Sequence, residues 1–475
     1  MASSSARRPL LPMLLGISGC IAIPEVPDAS GSTGPVTLGS TAANSTVAHS
    51  TGLDESGSSD DTATPPDLPP EDIGDCARLA ALVAALPEAA ADEREPMIDD
   101  YIRTVSDGEH GFPGIEGTQL CVVARGFEGE ALSVTGEFSD WDPRAHPLAE
   151  VPDLGFYYAI VELPAPPVGR YKLARNEATF LPDPLARRIG WDELGEYGLV
   201  DPVPGRSHIE RWPAFESGAG TLEPRAVRVY VPAGGFAPED VDVPVLYMHD
   251  GQNLFSTEAS WGGWRVDETL DHAIEDGLVP PMLIVGIDNT PARFDEYTHV
   301  PNLFDGEIRG GRADDYADFL VDGIKPFIES RYPAATEAAR VGTMGASLGG
   351  LVSLHLGHRH PDVFGHVASM SGTLGWGQFG EDNPTMADRY RATPPAGLRV
   401  YLDSGGDSPG GCPGSTDNYC VTQSMADTLR DLGWVDEDDL VYRWDPGAPH
   451  TNAQWADRFL PALLDWFKPA QTTDR

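Results

Sequence analysis

The strongest chemical signal in the chain is Gly345-Ala346-Ser347-Leu348-Gly349, with Gly350 directly after it. An apolar strand pattern at 340–344 runs into this segment and a helical pattern at 348–359 runs out of it. A serine on so sharp a strand-to-helix turn sits in strained backbone geometry, and only small neighbours fit around it. Ser347 then lies at a helix N-terminus, where developing negative charge is favoured. The chemistry implied is nucleophilic attack by the Ser347 hydroxyl on a carbonyl carbon.

A hydroxyl needs a base to take its proton, and the base needs an acid to orient it. Sheets that carry this turn supply the partners in the order Ser, Asp or Glu, His. His450, in the loop Asp445-Pro446-Gly447-Ala448-Pro449-His450, is the expected base. His355, His358, His360 and His366 lie on or just after the elbow helix, which leads away from the serine. The acid is expected on the loop after a strand at 398–403. Asp407, in Ser404-Gly405-Gly406-Asp407, is preferred over Asp403 at the strand end. The oxyanion needs two backbone N–H donors. Leu348 supplies one, and Gln252 in His249-Asp250-Gly251-Gln252-Asn253 the other. His249-Asp250 reads as a pair bracing that loop. No third ligand is spaced with it, so no metal site is expected.

These residues need a scaffold. From about residue 225, strand patterns at 227–231, 245–248, 282–287, 340–344, 364–370, 398–403 and 440–444 alternate with helical patterns at 266–275, 314–330, 348–359, 421–432 and 452–466. That alternation implies an α/β domain with a mostly parallel sheet covered on both faces. Upstream, residues 75–105 read as helical. Short strand patterns at 120–123, 132–134, 156–161 and 171–173 then suggest a small immunoglobulin-like β-sandwich. The division into domains is placed at 73–210 for the helical lead-in plus sandwich and 211–475 for the α/β domain.

His249 to Phe255, Trp261 to Glu268, Val285-Gly286-Ile287-Asp288-Asn289, Arg293, Glu296-Tyr297, the Ser347 turn and His450 together resemble the esterase-D-type "putative esterase" family. That family includes enterochelin esterases, feruloyl and acetyl xylan esterases, S-formylglutathione hydrolases and mycolyltransferases. The resemblance runs from about 225 to 467 and implies an α/β-hydrolase fold, a serine esterase and no cofactor. The sandwich-plus-esterase layout is similar to the enterochelin-esterase branch. Within the sandwich, Gly136, Phe138 and Trp141 resemble a segment of glycogen-binding-type and isoamylase N-terminal sandwiches; packing is the preferred role for the two aromatics. The Cys412 to Cys420 insert after Asp407 departs from the usual short loop.

Substrate contacts are expected from Trp264, Arg293, Glu296 and Tyr297, with Trp261, Phe304 and Trp376 as further aromatic candidates. Arg293, Glu296 and Tyr297 follow a strand end, where ligands bind in such sheets. Composition narrows the ligand. The formal charge is −42, and Lys172, Lys325 and Lys468 are the only lysines in 475 residues. Such a chain is no nucleic-acid binder and steers anionic ligands poorly. Carbohydrate-linked acetyl or feruloyl esters are therefore ranked above anionic catecholate siderophore esters. An acyltransferase on the same scaffold, and a glycan-binding lipoprotein with an idle hydrolase domain, are the other readings.

The N-terminus reads as an export signal at 1–19: Arg7 and Arg8, an apolar stretch, then Ile17-Ser18-Gly19-Cys20. This resembles a bacterial lipobox, which implies acylation of Cys20, anchoring in the cell envelope and, with Ile21 following, the outer membrane. Residues 20–72, rich in Ser, Thr, Gly, Asp and Pro, read as a disordered tether. Setting Cys20 aside leaves four cysteines. Cys76–Cys121 and Cys412–Cys420 are the preferred disulfides, because each pair lies within one domain.

Overall fold

The computed structural model describes residues 74–467, apart from 128, 202–204, 217–221, 238–239, 256–261, 305, 379–381, 409–411 and 413–414. The signal, Cys20 and the whole of the tether expected at 20–72 lie outside the described residues. Among the described residues no helix is long and apolar enough to cross a membrane.

Eight strands build the site-bearing sheet: β1 (His208–Phe215), β2 (Arg225–Val231), β3 (Val245–His249), β4 (Leu283–Ile287), β5 (Val341–Ala346), β6 (His366–Met370), β7 (Arg399–Ser404) and β8 (Leu440–Trp444). Their spatial order is β1-β2-β4-β3-β5-β6-β7-β8. β1 and β2 pair antiparallel, as do β2 and β4. Every pair from β4 through β3 to β8 is parallel. Runs such as Leu283–Ile287 are apolar throughout because both faces are covered. Alternation still sorts the side chains. Val245, Tyr247, Val285 and Leu402 join one core, and Leu246, Met248, Ile284 and Tyr401 the other.

The N-terminal half holds two helices, α1 (Asp75–Ala85) and α2 (Arg94–Asp107), and α3 (Val266–Glu275) runs between β3 and β4 of the large sheet. The helical stretch expected over 75–105 is divided between α1 and α2, with the break where Pro87 has no N–H to continue the ladder. A four-stranded sheet follows, in the order Gly114–Glu116, Gln119–Arg125, Phe156–Glu162, Ala149–Val151. Its central strand alternates: Cys121 and Val123 pack on the helices, while Leu120, Val122 and Ala124 pack toward Val134, Tyr171 and Leu173 of the facing strands. Cys76–Cys121 ties α1 to this strand. Phe138 packs against the shared core, and Trp141 meets Phe180 edge-on at 6.3 Å.

The facing strands do not stop at the N-terminal half. Arg188–Asp192 pairs with β1 through Ile209↔Ile189 and Glu210↔Arg188, which makes one continuous 14-stranded sheet. Residue 210, the expected domain boundary, thus lies inside β1, bonded on one edge to the N-terminal unit and on the other to β2. The junction covers an edge that would otherwise be open. Around it, Glu210 meets Arg188 at 3.3 Å and accepts from the Tyr332 hydroxyl at 2.5 Å. Burial would raise the Glu210 carboxyl, yet His208, Arg188 and Tyr332 together hold it down to about 2.

Candidate active site

Ser347 lies between β5 and α4 (Leu348–Arg359), with φ 59° and ψ −121°. A non-glycine residue adopts that region only when its surroundings force it. A Cβ on Gly345 would fall 2.7 Å from the Gly349 carbonyl carbon, so the helix starts directly over the strand end. The Ser347 N–H is tied across to the Met370 carbonyl of β6 at 2.9 Å. The Ser347 Oγ lies 3.3 Å from the Thr373 Oγ1, and the Thr373 N–H donates to the Ser347 carbonyl at 3.0 Å. Sequence reasoning did not single out Thr373. Its signal was its place just beyond β6, at the carboxyl ends of the strands.

The Gln252 loop is braced from below. Gly251 to Asn253 form a short 3₁₀ turn after Asp250, whose φ is 60°. A Cβ on Gly251 would stand 2.7 Å from the Gly286 carbonyl carbon, so only glycine lets the turn lie on β4. The ideal Cβ position of Gly349 is 3.4 Å from both His249 Cβ and Asp250 Oδ2, which sets this loop against the elbow. The first N–H groups of α4, Leu348 among them, have no carbonyl within the helix to bond. Asp250 accepts from Arg293 Nε and Nη2, each at 2.7 Å, and from the Asn289 amide. Burial works the other way, but Arg293 and Asn289 hold the Asp250 carboxyl below its ordinary value. His249 is buried between the Tyr316 hydroxyl at 2.9 Å and the Thr343 hydroxyl at 3.1 Å. Its burial pushes the imidazole down to about 3, so it stays neutral. The expected bracing role of His249-Asp250 matches this geometry.

The acid is where structure and sequence part. His450 Nδ1 donates to Asp417 Oδ1 at 2.6 Å. Asp407, the preferred candidate, is exposed, and its N–H is spent on the Thr416 hydroxyl at 3.1 Å. Asp403 is buried against Arg458 at 2.8 Å. The displacement has a physical cause. The chain leaves β7, passes Asp407 and returns, with the Cys412–Cys420 disulfide closing the return over eight residues. Asp417 sits inside that closed loop, just before α5 (Tyr419–Asp431). The Thr416 N–H donates to the Asp407 carbonyl at 2.9 Å, and the Gly405 N–H donates to Asp417 Oδ2. The insert therefore places a carboxylate of its own against His450 Nδ1.

The four expected substrate contacts are drawn into the framework instead. Glu296 makes a two-pronged pair with Arg225 at 2.6 and 3.0 Å, both side chains 1% exposed. Tyr297 is fully buried, and its hydroxyl accepts from the Asp250 N–H at 3.3 Å. Arg293 is spent on Asp250, and Trp264 is buried with its Nε1 donating to Asn452 at 2.9 Å. Sequence proximity to a strand end was correct, but these side chains turn inward to hold the loop. Trp376 is buried, with its Nε1 on the Val300 carbonyl at 2.8 Å; Phe304 stacks on Phe294 at 5.1 Å; Trp261 lies outside the described residues.

A family model described as "Putative esterase" matches residues 219–466, just over half of the chain. The chain belongs to this family. It is an esterase-family protein with an α/β-hydrolase fold, and hydrolysis of esters is the activity the family supports. Uncharacterized protein YbbA of Bacillus subtilis is 26% identical over 247 residues, covering 51% of this chain and 92% of that protein. Iron(III) salmochelin esterase of Escherichia coli O6:H1 is 28% identical over 193 residues, which span 38% of this chain and 41% of that enzyme. Among solved structures, an enterochelin esterase from Shigella flexneri is similar at 18% identity and a TM-score of 0.43, covering 76% of this chain and 96% of that one.

Proposed function

We propose that this esterase is a serine carboxylic ester hydrolase that works through an acyl-enzyme, with Ser347 as nucleophile, His450 as base and Asp417 as acid. The observation that carries the reading is the 2.6 Å His450–Asp417 bond together with a serine held at φ 59°, the two linked by the loop after β6, whose Ser371 bonds Asp417 and whose Thr373 meets Ser347 Oγ at 3.3 Å. Ser347 Oγ attacks the ester carbonyl while His450 Nε2 takes its proton. Asp417 keeps Nδ1 protonated and stabilises the imidazolium. The Leu348 and Gln252 N–H groups receive the oxyanion. His450 then returns the proton to the leaving alcohol, and water repeats the sequence on the acyl group.

Neutral esters, carbohydrate-linked acetyl or feruloyl groups among them, are the favoured substrates. Arg293, the cation expected to face the ligand, is neutralised by Asp250, and the chain is strongly acidic. A catecholate siderophore ester is the second reading, supported by the names of the salmochelin and enterobactin esterases among the relatives. A panel of acetyl, feruloyl and catecholate esters separates them by kcat/KM, and added acceptor alcohols reveal any acyl transfer. Turnover of every substrate should vanish in Ser347→Ala. A folded Ser347→Ala enzyme with wild-type turnover would remove the mechanism.

The envelope location is proposed with it. Two disulfides in the described residues fit an oxidising compartment, and Cys20 stands in a lipobox-like context. A diacylglycerol thioether on Cys20 carries enough chains for stable anchoring. Metabolic fatty-acid labelling should mark the wild type and miss Cys20→Ala, which should be released in soluble form.

A further inference from the structure

Asp417 has two carboxylate oxygens with different duties. Oδ1 faces His450, and Oδ2 accepts from the Ser371 hydroxyl at 2.7 Å and from the Gly405 N–H. Ser371 is fully buried one residue beyond β6, with φ 46° and its carbonyl held by the Asn418 amide at 2.8 Å. Its hydroxyl oxygen also faces two further groups, Arg458 Nη2 at 3.0 Å and Trp455 Nε1 at 3.1 Å. Guanidinium and indole nitrogens only donate. A hydroxyl has one proton and two lone pairs, so these two donors fill both lone pairs. The single Ser371 proton is left one destination, Asp417 Oδ2.

The donors are themselves anchored. Arg458 Nη1 bonds Asp403 Oδ1 at 2.8 Å, and Asp403 Oδ2 accepts from the Tyr401 hydroxyl at 3.2 Å. Arg458 Nη2 also stands 3.7 Å from Asp417 Oδ2. Trp455 and Arg458 are three residues apart, so they share one face of α6 (Asn452–Trp466), the helix that begins two residues after His450. The Trp455 ring meets the His450 ring edge-on at 4.8 Å.

We infer that Asp403, Arg458, Trp455 and Ser371 are a positioning relay, which makes Ser371 an obligatory donor to Asp417 Oδ2 and so reserves Oδ1 for His450. The inference rests on the proposed roles of Asp417 and His450. It explains how a carboxylate delivered by an insert far from the strand end is held as firmly as one on a short loop. Asp403 gains a role as well. It fixes the fork of Arg458 rather than touching the histidine.

The test is Ser371→Ala, assayed with p-nitrophenyl acetate, together with the far-downfield proton NMR signal of the His450 Nδ1–H. The relay requires kcat to fall on the order of 10- to 100-fold, the worth of one charge-assisted hydrogen bond. KM should stay within about threefold, because no substrate contact is removed. The downfield signal should shift or broaden. Should Ser371→Ala not fold, Trp455→Phe decides: it frees one lone pair of Ser371 and should lower kcat in the same sense, with the NMR signal moved. Arg458→Lys keeps the charge but loses the fork, and should resemble Ser371→Ala more than wild type. Wild-type kcat with an unmoved signal in a folded Ser371→Ala or Trp455→Phe protein overturns the relay. Ser347→Ala keeps the two failures apart: if it stays active while Ser371→Ala still moves the His450 signal, the hydrolase mechanism falls and the relay stands.

Discussion

Asp417 and His450 are joined at 2.6 Å across a steep gradient of exposure, the aspartate side chain 1% exposed and the histidine 37%. The carboxylate sits on the dry side, where its hydrogen bonds are strongest, and the imidazole edge reaches water and substrate. An acid in that position orients the ring without competing for the substrate proton.

The identity of the acid gives the sharpest kinetic contrast. Asp417→Asn should lower kcat by about 10⁴, since an amide cannot hold the tautomer that leaves Nε2 free. Asp407→Asn should leave kcat within about twofold, its side chain being exposed while His450 Nδ1 is taken by Asp417. Steady-state assays on the two variants side by side check this, and the opposite ranking would return the role to Asp407.

The Cys412–Cys420 bridge closes the loop that holds Asp417. A closure of this size is worth about 2.5 kcal/mol by the chain-entropy argument. The double variant Cys412→Ser with Cys420→Ser should therefore melt only modestly lower. Its kcat should fall by a larger factor than the shift in stability accounts for, because the acid loses its frame. Equal kcat in oxidised, reduced and doubly substituted protein would make the bridge a remote staple.

Glu296 offers a test of framework against substrate contact. Its pair with Arg225 is wholly buried, and Glu296→Gln leaves the guanidinium charge uncompensated. Unfolding free energy in urea should drop by about 3–5 kcal/mol. KM for any accepted ester should not move in the folded fraction. A KM increase without loss of stability would restore Glu296 to the substrate site.

His249 sets a pH dependence of stability. Burial holds its folded-state pKa at about 3, below the unfolded value of 6.5. Between these values the unfolded chain binds the extra proton, so His249 contributes stability that is full above pH 6.5 and is lost as pH falls toward 3. Replacing it with Gln should flatten the stability curve by about 1.4 kcal/mol per pH unit across pH 4–6 relative to wild type. Urea midpoints at several pH values measure the difference; parallel curves for the two proteins would exclude it.

Much of this molecule is legible without coordinates, for local reasons. The alternation of strands and helices from 225 onward is written in periodicity, and the elbow in four small residues around Ser347, because steric demands there act between neighbours in sequence. His450, as the late histidine in a loop after the last strand, follows from the order of the elements. The two disulfides follow from the cysteine count and from keeping each pair close within one stretch of the chain, and the structure pairs the same cysteines.

Tertiary structure decided the rest, where the outcome depends on which distant segments meet. Asp403, Asp407 and Asp417 are chemically alike and lie at the end of one strand or after it; only the folding back of the insert puts Asp417 on the ring, while the C-terminal helix brings Arg458 to Asp403. Arg293, Glu296 and Tyr297 carry the side chains of a binding site, yet Asp250 and Arg225, brought in from other strands, draw them into the framework. Residue 210 looked like a boundary because the pattern changes there. The edge of β1 bonds to both halves, and backbone hydrogen bonding between strands leaves no mark on composition or periodicity.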